Sequence, residues 1–171
     1  MTKIVVLLHD IRSTFNVGSI LRTSDGLGVN KLIFSGITPY PEIKNDPRLP
    51  HERDKITSQI AKTALGAETS LPIEVSSDIK STISRLKASG YKILALEQSK
   101  DSIKLQNYHQ SLPNPGNIAL LLGEEVHGIH PHLLELTDAR LEIPMLGAKE
   151  SFNVSVAYAI TLWELRRQDL N

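Results

Sequence analysis

IVVLLHDIRSTFNVGSILR, residues 4–22, sets an unbroken apolar run, Ile4 to Leu8, before a polar turn and a segment with helical periodicity. A continuous run, rather than an alternating one, marks a strand buried on both faces, as parallel strands are. Beyond the turn, Val17, Ile20, Leu21, Ser24 and Leu27 fall on one helical face, with Asn16 as N-cap and Gly28 as stop. A buried strand that feeds a helix through a short turn opens a βαβ unit, so this stretch predicts a parallel α/β protein.

The rest of the chain repeats the pattern. Continuous apolar runs recur at Leu32 to Phe34, Ile93 to Leu96 and Ile118 to Leu122, and weaker strands fit Ile73 to Val75 and Leu141 to Ile143. Ile79, Ile83 and Leu86 define a helix that ends at Gly90, and Val154, Ala157, Tyr158, Thr161 and Leu165 define a long C-terminal one. The expectation is an α/β fold with a parallel six-stranded sheet, helices on both faces and ligands at the carboxyl ends of the strands. Two connections, Ser35 to Pro50 and Glu97 to Asn117 with its Pro113 and Pro115, exceed the usual α/β loop and suggest function.

Composition narrows the chemistry. The 171 residues, 40% hydrophobic and 22% charged, suit one core, so a single domain over 1–171 is expected. Lys plus Arg and Asp plus Glu both number 19, so the net charge is zero. Contact with a polyanion must then come from a local patch, for which Arg12, Arg22, Arg48, Arg53, Lys55 and Lys149 are candidates. Cysteine is absent, which excludes disulfides, thiolate metal sites and a cysteine nucleophile. The first apolar run is too short for a signal-peptide core or a membrane span, so a soluble cytoplasmic protein with no membrane partner is expected. His127, His130 and His132 sit in a loop with Pro131 and no companion cluster, and no metal is expected there.

Three segments carry the functional reading. In the first, backbone amides at the helix start suit an anion such as an RNA phosphate, and Gly18 admits either another backbone or a ligand. Asn16 is equally suited to capping, and Arg22 to a role over the helix start or on the solvated surface. The second, Leu120 to Ile129, is a buried strand that ends in Gly123-Glu124-Glu125. Glycine there admits a cofactor, and an acid there can bind hydroxyls or position an arginine. The third, Ile143 to Ala157, runs from a strand through a loop to a new helix. Ser151 is its candidate cap, and Asn153 lies in the first turn with an amide free for a hydroxyl or phosphate.

Together, and in this order, these segments resemble the three motifs of the SpoU (TrmH) family of SPOUT RNA methyltransferases. Asn16, Gly18 and Arg22 match the first motif, and Gly123, Glu124 and Gly128 the second. Ile143, Pro144, Met145, Ser151, Asn153, Ser155 and Ala157 match the third, and Lys62 to Ala67 resembles an element between motifs. Phe152 departs from the Leu usual at its position, and the extra N-terminal RNA-binding domain of some members is not seen. The resemblance implies a deep C-terminal trefoil knot that holds S-adenosyl-L-methionine, with Leu96, Glu97, Leu122, Gly123, Ile143, Met145 and Phe152 around the cofactor. It also implies methyl transfer to a ribose 2'-hydroxyl of structured RNA, either tRNA or rRNA, by a homodimer. Arg22 would activate the hydroxyl, as a base or by orienting it while phosphate or water takes the proton. Asn16, Glu124, Ser151 and Asn153 would position the reacting groups. A small-molecule methyltransferase and a catalytically silent RNA-binding protein on the same fold are the alternatives.

Overall fold

The structure is a computed structural model that describes residues 1–113 and 116–170; Pro115, noted above in the second long connection, lies outside the described residues. Its strands are β1 (Ile4–His9), β2 (Lys31–Ser35), β3 (Ile73–Ser76), β4 (Tyr91–Leu96), β5 (Ile103–Lys104), β6 (Asn117–Leu122) and β7 (Ala139–Glu142). The helices are α1 (Thr14–Gly26), α2 (Pro50–Ala64), α3 (Ala67–Ser70), α4 (Ile79–Ala88), α5 (Tyr108–Ser111), α6 (Pro131–Leu134) and α7 (Val154–Arg166). Every strand pairing is parallel, in the order β3-β2-β1-β6-β4-β7-β5.

The sheet therefore has seven strands rather than the expected six. The additional one, β5, is only two residues long and pairs with the end of β7. So short a strand leaves no periodicity to read. It lies inside the second long connection, which also holds a 3-10 turn (Leu105–Asn107) and α5.

Helices cover both faces because the strands alternate their side chains between two apolar layers. Ile4, Val6 and Leu8 pack with α1, α2 and α7, whereas Val5 and Leu7 pack with α4 and α6. Between α1 and α7 the buried Tyr158 hydroxyl meets Ser24 Oγ at 2.6 Å, and Ser24 Oγ donates to Ile20 O at 2.7 Å. Arg166 is the only charged residue among the buried described ones. Its guanidinium donates to the carbonyls of Leu27, Gly28 and Thr2 and pairs with Asp169 at 2.9 Å. This caps the end of α1 and ties α7 to the start of the chain.

Two helix starts differ from the expected caps. Ser13, not Asn16, caps α1, its side chain accepting from Asn16 N at 3.3 Å. Asn153, not Ser151, caps α7, accepting from Ser155 N at 2.9 Å. Asn16 thus sits inside the first turn with its amide side chain free for contacts with other segments. Gly18 faces α2, where a Cβ would lie 2.1 Å from Thr63 Oγ1 and 2.4 Å from Ile60 O. The close approach that Gly18 allows is to the backbone of α2, near the Lys62 to Ala67 stretch. Because a carbonyl of a packed helix cannot rotate away, Gly18→Ala is expected to cost about 1 to 3 kcal/mol, read as a lowered midpoint in thermal unfolding.

Candidate active site

The carboxyl ends of β4, β6 and β7 and the start of α7 enclose an open cleft of about 220 Å³. Leu96, Leu122, Leu141, Ile143, Phe152 and Val154 supply apolar wall, and Glu97, Gln98, Glu124, Glu125, Glu142 and Ser151 supply polar groups. Of the residues expected around a cofactor, Leu96, Glu97, Leu122, Gly123, Ile143 and Phe152 line this cleft. Met145 is half-buried in the loop after β7 but is not part of the lining.

The floor is held by close backbone packing. A Cβ on Gly123 would stand 2.5 Å from the Gly128 carbonyl, and one on Gly128 would collide with the Glu97 carboxylate. Glu97 in turn accepts from Ile129 N at 2.7 Å, which pins the loop after β6 to the end of β4. Gly123 therefore makes room for this chain's own loop, and Gly128, at φ 69°, supplies the left-handed turn that loop needs.

One carboxylate joins the cleft to α1. Glu125 Oε1 accepts from Ser13 N at 3.1 Å and from Asn16 Nδ2 at 2.9 Å, while Oε2 accepts from Arg12 N at 3.1 Å. Asn16 Oδ1 then accepts from Asn153 Nδ2 at 3.0 Å, so residues of all three segments meet at the rim. The amides of Arg12 and Ser13, just ahead of α1, are thus occupied by this internal anion, which also suits the helix dipole. Burial would raise the Glu125 pKa, but the hydrogen bonds from Asn16, Arg12 N and Ser13 N outweigh it and hold the carboxyl below its ordinary value.

Glu124 points elsewhere. It accepts from Arg12 Nε at 3.3 Å and NH2 at 3.1 Å, and it also contacts the His127 ring. The hydrogen bond with His127, then those with Arg12, lower its pKa against a desolvation penalty. Ser151 lines the cleft. Arg22 is exposed on α1, six residues past Asn16 and so about 9 Å further along the axis, and it makes no hydrogen bond or ion pair with a described residue. It does not line the cleft of its own chain.

Sequence reasoning passed over Glu125, Ser13 and Gln98. The first had a usable signal, an acid just beyond a buried strand, but two adjacent glutamates cannot be told apart without the turn between them. Among the basic candidates, Arg48 is spent inside its own loop, on Asp46 and the Tyr40 carbonyl and over the Tyr40 ring at 3.7 Å. Arg53 pairs with Glu42 and Asp54. Arg22, Lys55 and Lys149 remain exposed. Among the described residues no group of three or more His, Asp or Glu could hold a metal, and no helix is long and apolar enough to cross a membrane.

Comparison with known proteins decides the family. The model of the SpoU rRNA Methylase family matches residues 3–163. This chain belongs to that family. It is 27% identical over 168 residues to the tRNA (guanosine(18)-2'-O)-methyltransferase of Escherichia coli K12, a match that covers 98% of the chain and 65% of that relative. It is 29% identical over 164 residues to the 23S rRNA (guanosine(2553)-2'-O)-methyltransferase RlmP of Bacillus subtilis, covering 95% of the chain and 57% of the relative. The chain thus spans roughly three-fifths of the length of these family members. The crystal structure of the A. aeolicus TrmH/SpoU tRNA modifying enzyme superposes with a TM-score of 0.79 at 25% identity, over 99% of this chain and 77% of that one. The fold is also shared with an AdoMet-bound rRNA methyltransferase from Sinorhizobium meliloti, TM-score 0.79, over 99% of this chain and 57% of that one at 24% identity.

The depressed pKa of Glu125 has a measurable consequence. A group whose folded pKa lies below its unfolded value of about 4.3 contributes fully above that value and loses its contribution as pH falls through the folded one. Hydrogen-exchange protection factors at the Arg12 and Ser13 amides are expected to fall below about pH 4 and to lose that dependence in Glu125→Gln. Protection that stays level in the wild type as the carboxylate protonates would contradict the assignment.

Proposed function

We propose that this protein transfers a methyl group from S-adenosyl-L-methionine to a ribose 2'-hydroxyl of tRNA or rRNA. The observation that carries the reading is the convergence of Asn16, Glu125 and Asn153, one from each segment, at the rim of a cleft between strand ends, in a chain of the SpoU family. The curated relatives are named for guanosine 2'-O-methylation of tRNA and rRNA, which makes guanosine the first nucleotide to examine.

The cleft fits the cofactor in kind. Its apolar walls suit an adenine, and its carboxylates suit a ligand that carries positive charge. When bound, the cofactor supplies a methyl group on a sulfonium, open to attack by an oxygen in line with it. Leu96, Glu97, Leu122, Gly123, Ile143 and Phe152 form the cofactor side of the site, with Met145 in the loop behind it. Glu125 holds Asn16, and Asn16 with Asn153 and Ser151 offers amide and hydroxyl groups to the ribose and its phosphate. Glu124 fixes Arg12 beside them. A guanidinium stays protonated in proteins, so Arg22 acts by orienting the 2'-hydroxyl and countering the charge that develops on oxygen, while phosphate or water accepts the proton.

Because Arg22 stands away from its own cleft, it serves the cleft of a second copy, and the protein works as a homodimer. The surface for this is one face of α7. On α7 Tyr158 and Leu162 point into the core, whereas Val156, Ile160 and Trp163 are exposed at spacings of four and three residues, with Phe152 exposed just ahead of the helix. Strand order also supports the trefoil knot: β6 enters between β1 and β4, and β7 between β4 and β5, after their neighbours have been laid down. We assign residues 1–171 to one methyltransferase domain that acts in the cytoplasm.

Incubation with labelled cofactor and RNA from a strain lacking the protein is expected to place label on a ribose 2'-oxygen. Label on a base would overturn the reaction. Arg22→Ala is expected to lower methylation by roughly a hundredfold or more while cofactor binding, measured by calorimetry, is kept. Ile160→Glu is expected to convert a dimer into monomers in sedimentation experiments, with loss of activity.

A further inference from the structure

Four carboxylates line the cleft, those of Glu97, Glu124, Glu125 and Glu142. Three are engaged by the chain itself. Glu97 accepts from the backbone at Ile129 and Gln98, Glu124 from Arg12 and His127, and Glu125 from Arg12, Ser13 and Asn16. Glu142 differs. Its Oε2 accepts from Ser102 Oγ at 2.5 Å, and its Oε1 has no hydrogen-bond partner among the described residues. No cation among the described residues reaches it either, although Lys104 is its register neighbour on β5.

A half-buried carboxylate with a single neutral donor is costly unless a cation completes it. It is also an acceptor only, so it suits a partner that is both positively charged and rich in N–H groups. Of the groups on S-adenosyl-L-methionine, the sulfonium is charged but has no N–H, and the adenine amine has N–H but no charge. The α-ammonium of the amino-acid end has both. Position agrees: Glu142 ends β7, between β4 and β5, whereas the contacts to Asn16 and Asn153 gather beyond β6 on the side of α1. The reacting methyl belongs with the latter group, which leaves Glu142 to hold a part of the cofactor remote from it.

We propose that Glu142 binds the α-ammonium of the cofactor's amino-acid end, with Ser102 fixing the carboxylate. This rests on the cofactor reading above. Glu142→Gln keeps the shape and an acceptor for Ser102 but removes the charge. In titration calorimetry the variant is expected to bind S-adenosylhomocysteine roughly ten- to a hundredfold more weakly than the wild type. It should bind 5'-methylthioadenosine, which lacks the amino-acid end, within about twofold of the wild type, inside the usual scatter of a surface change. Equal weakening of both ligands would overturn the assignment, because Glu142 would then serve the adenosine or the shape of the cleft. Weakening for S-adenosyl-L-methionine alone would overturn it in favour of the sulfonium. A wild-type protein that binds none of these compounds would remove the cofactor reading itself, and this assignment with it.

Discussion

The structure depends on β6 lying between β1 and β4. Ile118 to Leu122 are buried in the middle of the sheet, paired in parallel on both sides, and the strand can end only at the carboxyl edge where β4 and β7 also end. The Gly123 to Gly128 loop is thereby delivered to the cleft and to the turn before α1 at once. Glu125 uses that position: a single carboxylate gathers two backbone amides and a side-chain amide from a segment more than a hundred residues away. The backbone N–H groups ahead of α1 would otherwise need solvent or a ligand, so the same contacts complete the helix start and fix the rim of the site.

Close packing accounts for the glycines better than ligand access does. Gly123 is confined by the Gly128 carbonyl, Gly128 by Glu97, and Gly18 by the backbone of α2. The same small residues that mark the family's motifs are needed for the folded chain to approach itself. They bring the strand ends and α1 close enough for their polar groups to share one cleft, which Gly123 and Gly128 themselves line.

The C-terminal helix joins two environments. Its inner face, with Tyr158, Leu162 and Leu165, is tied to the core and, through the Tyr158 hydroxyl, to Ser24 on α1. Its outer face carries Val156, Ile160 and Trp163 into solvent. Apolar residues on both sides give a weak helical moment, which is why periodicity located the helix but not the face that looks outward. The buried Arg166 at its end binds three carbonyls, and so the helix that shapes the cleft is anchored to the far ends of α1 and β1.

By itself the sequence determined the class of fold, its six longer strands and the three segments that meet at the cleft, because continuous apolar runs and glycines reflect local constraints. Its resemblance to the family also pointed to Leu96, Glu97, Leu122, Gly123, Ile143 and Phe152, which line one cleft in the fold, and to Met145, which does not. Tertiary structure alone decided the seventh strand, which is too short for periodicity, and the helix caps, where Ser13 and Asn153 displace Asn16 and Ser151. It also decided between Glu124 and Glu125, which are alike in sequence yet directed by one turn of backbone toward different partners. Arg48, a surface cation by composition, proved to be the clip of its own loop. The seventh strand and the choice between the two glutamates rest on contacts between segments whose meeting is set by strand order, which is not a local property of the chain; the caps and the Arg48 clip are short-range contacts in which the folded backbone selects one of several equivalent polar side chains.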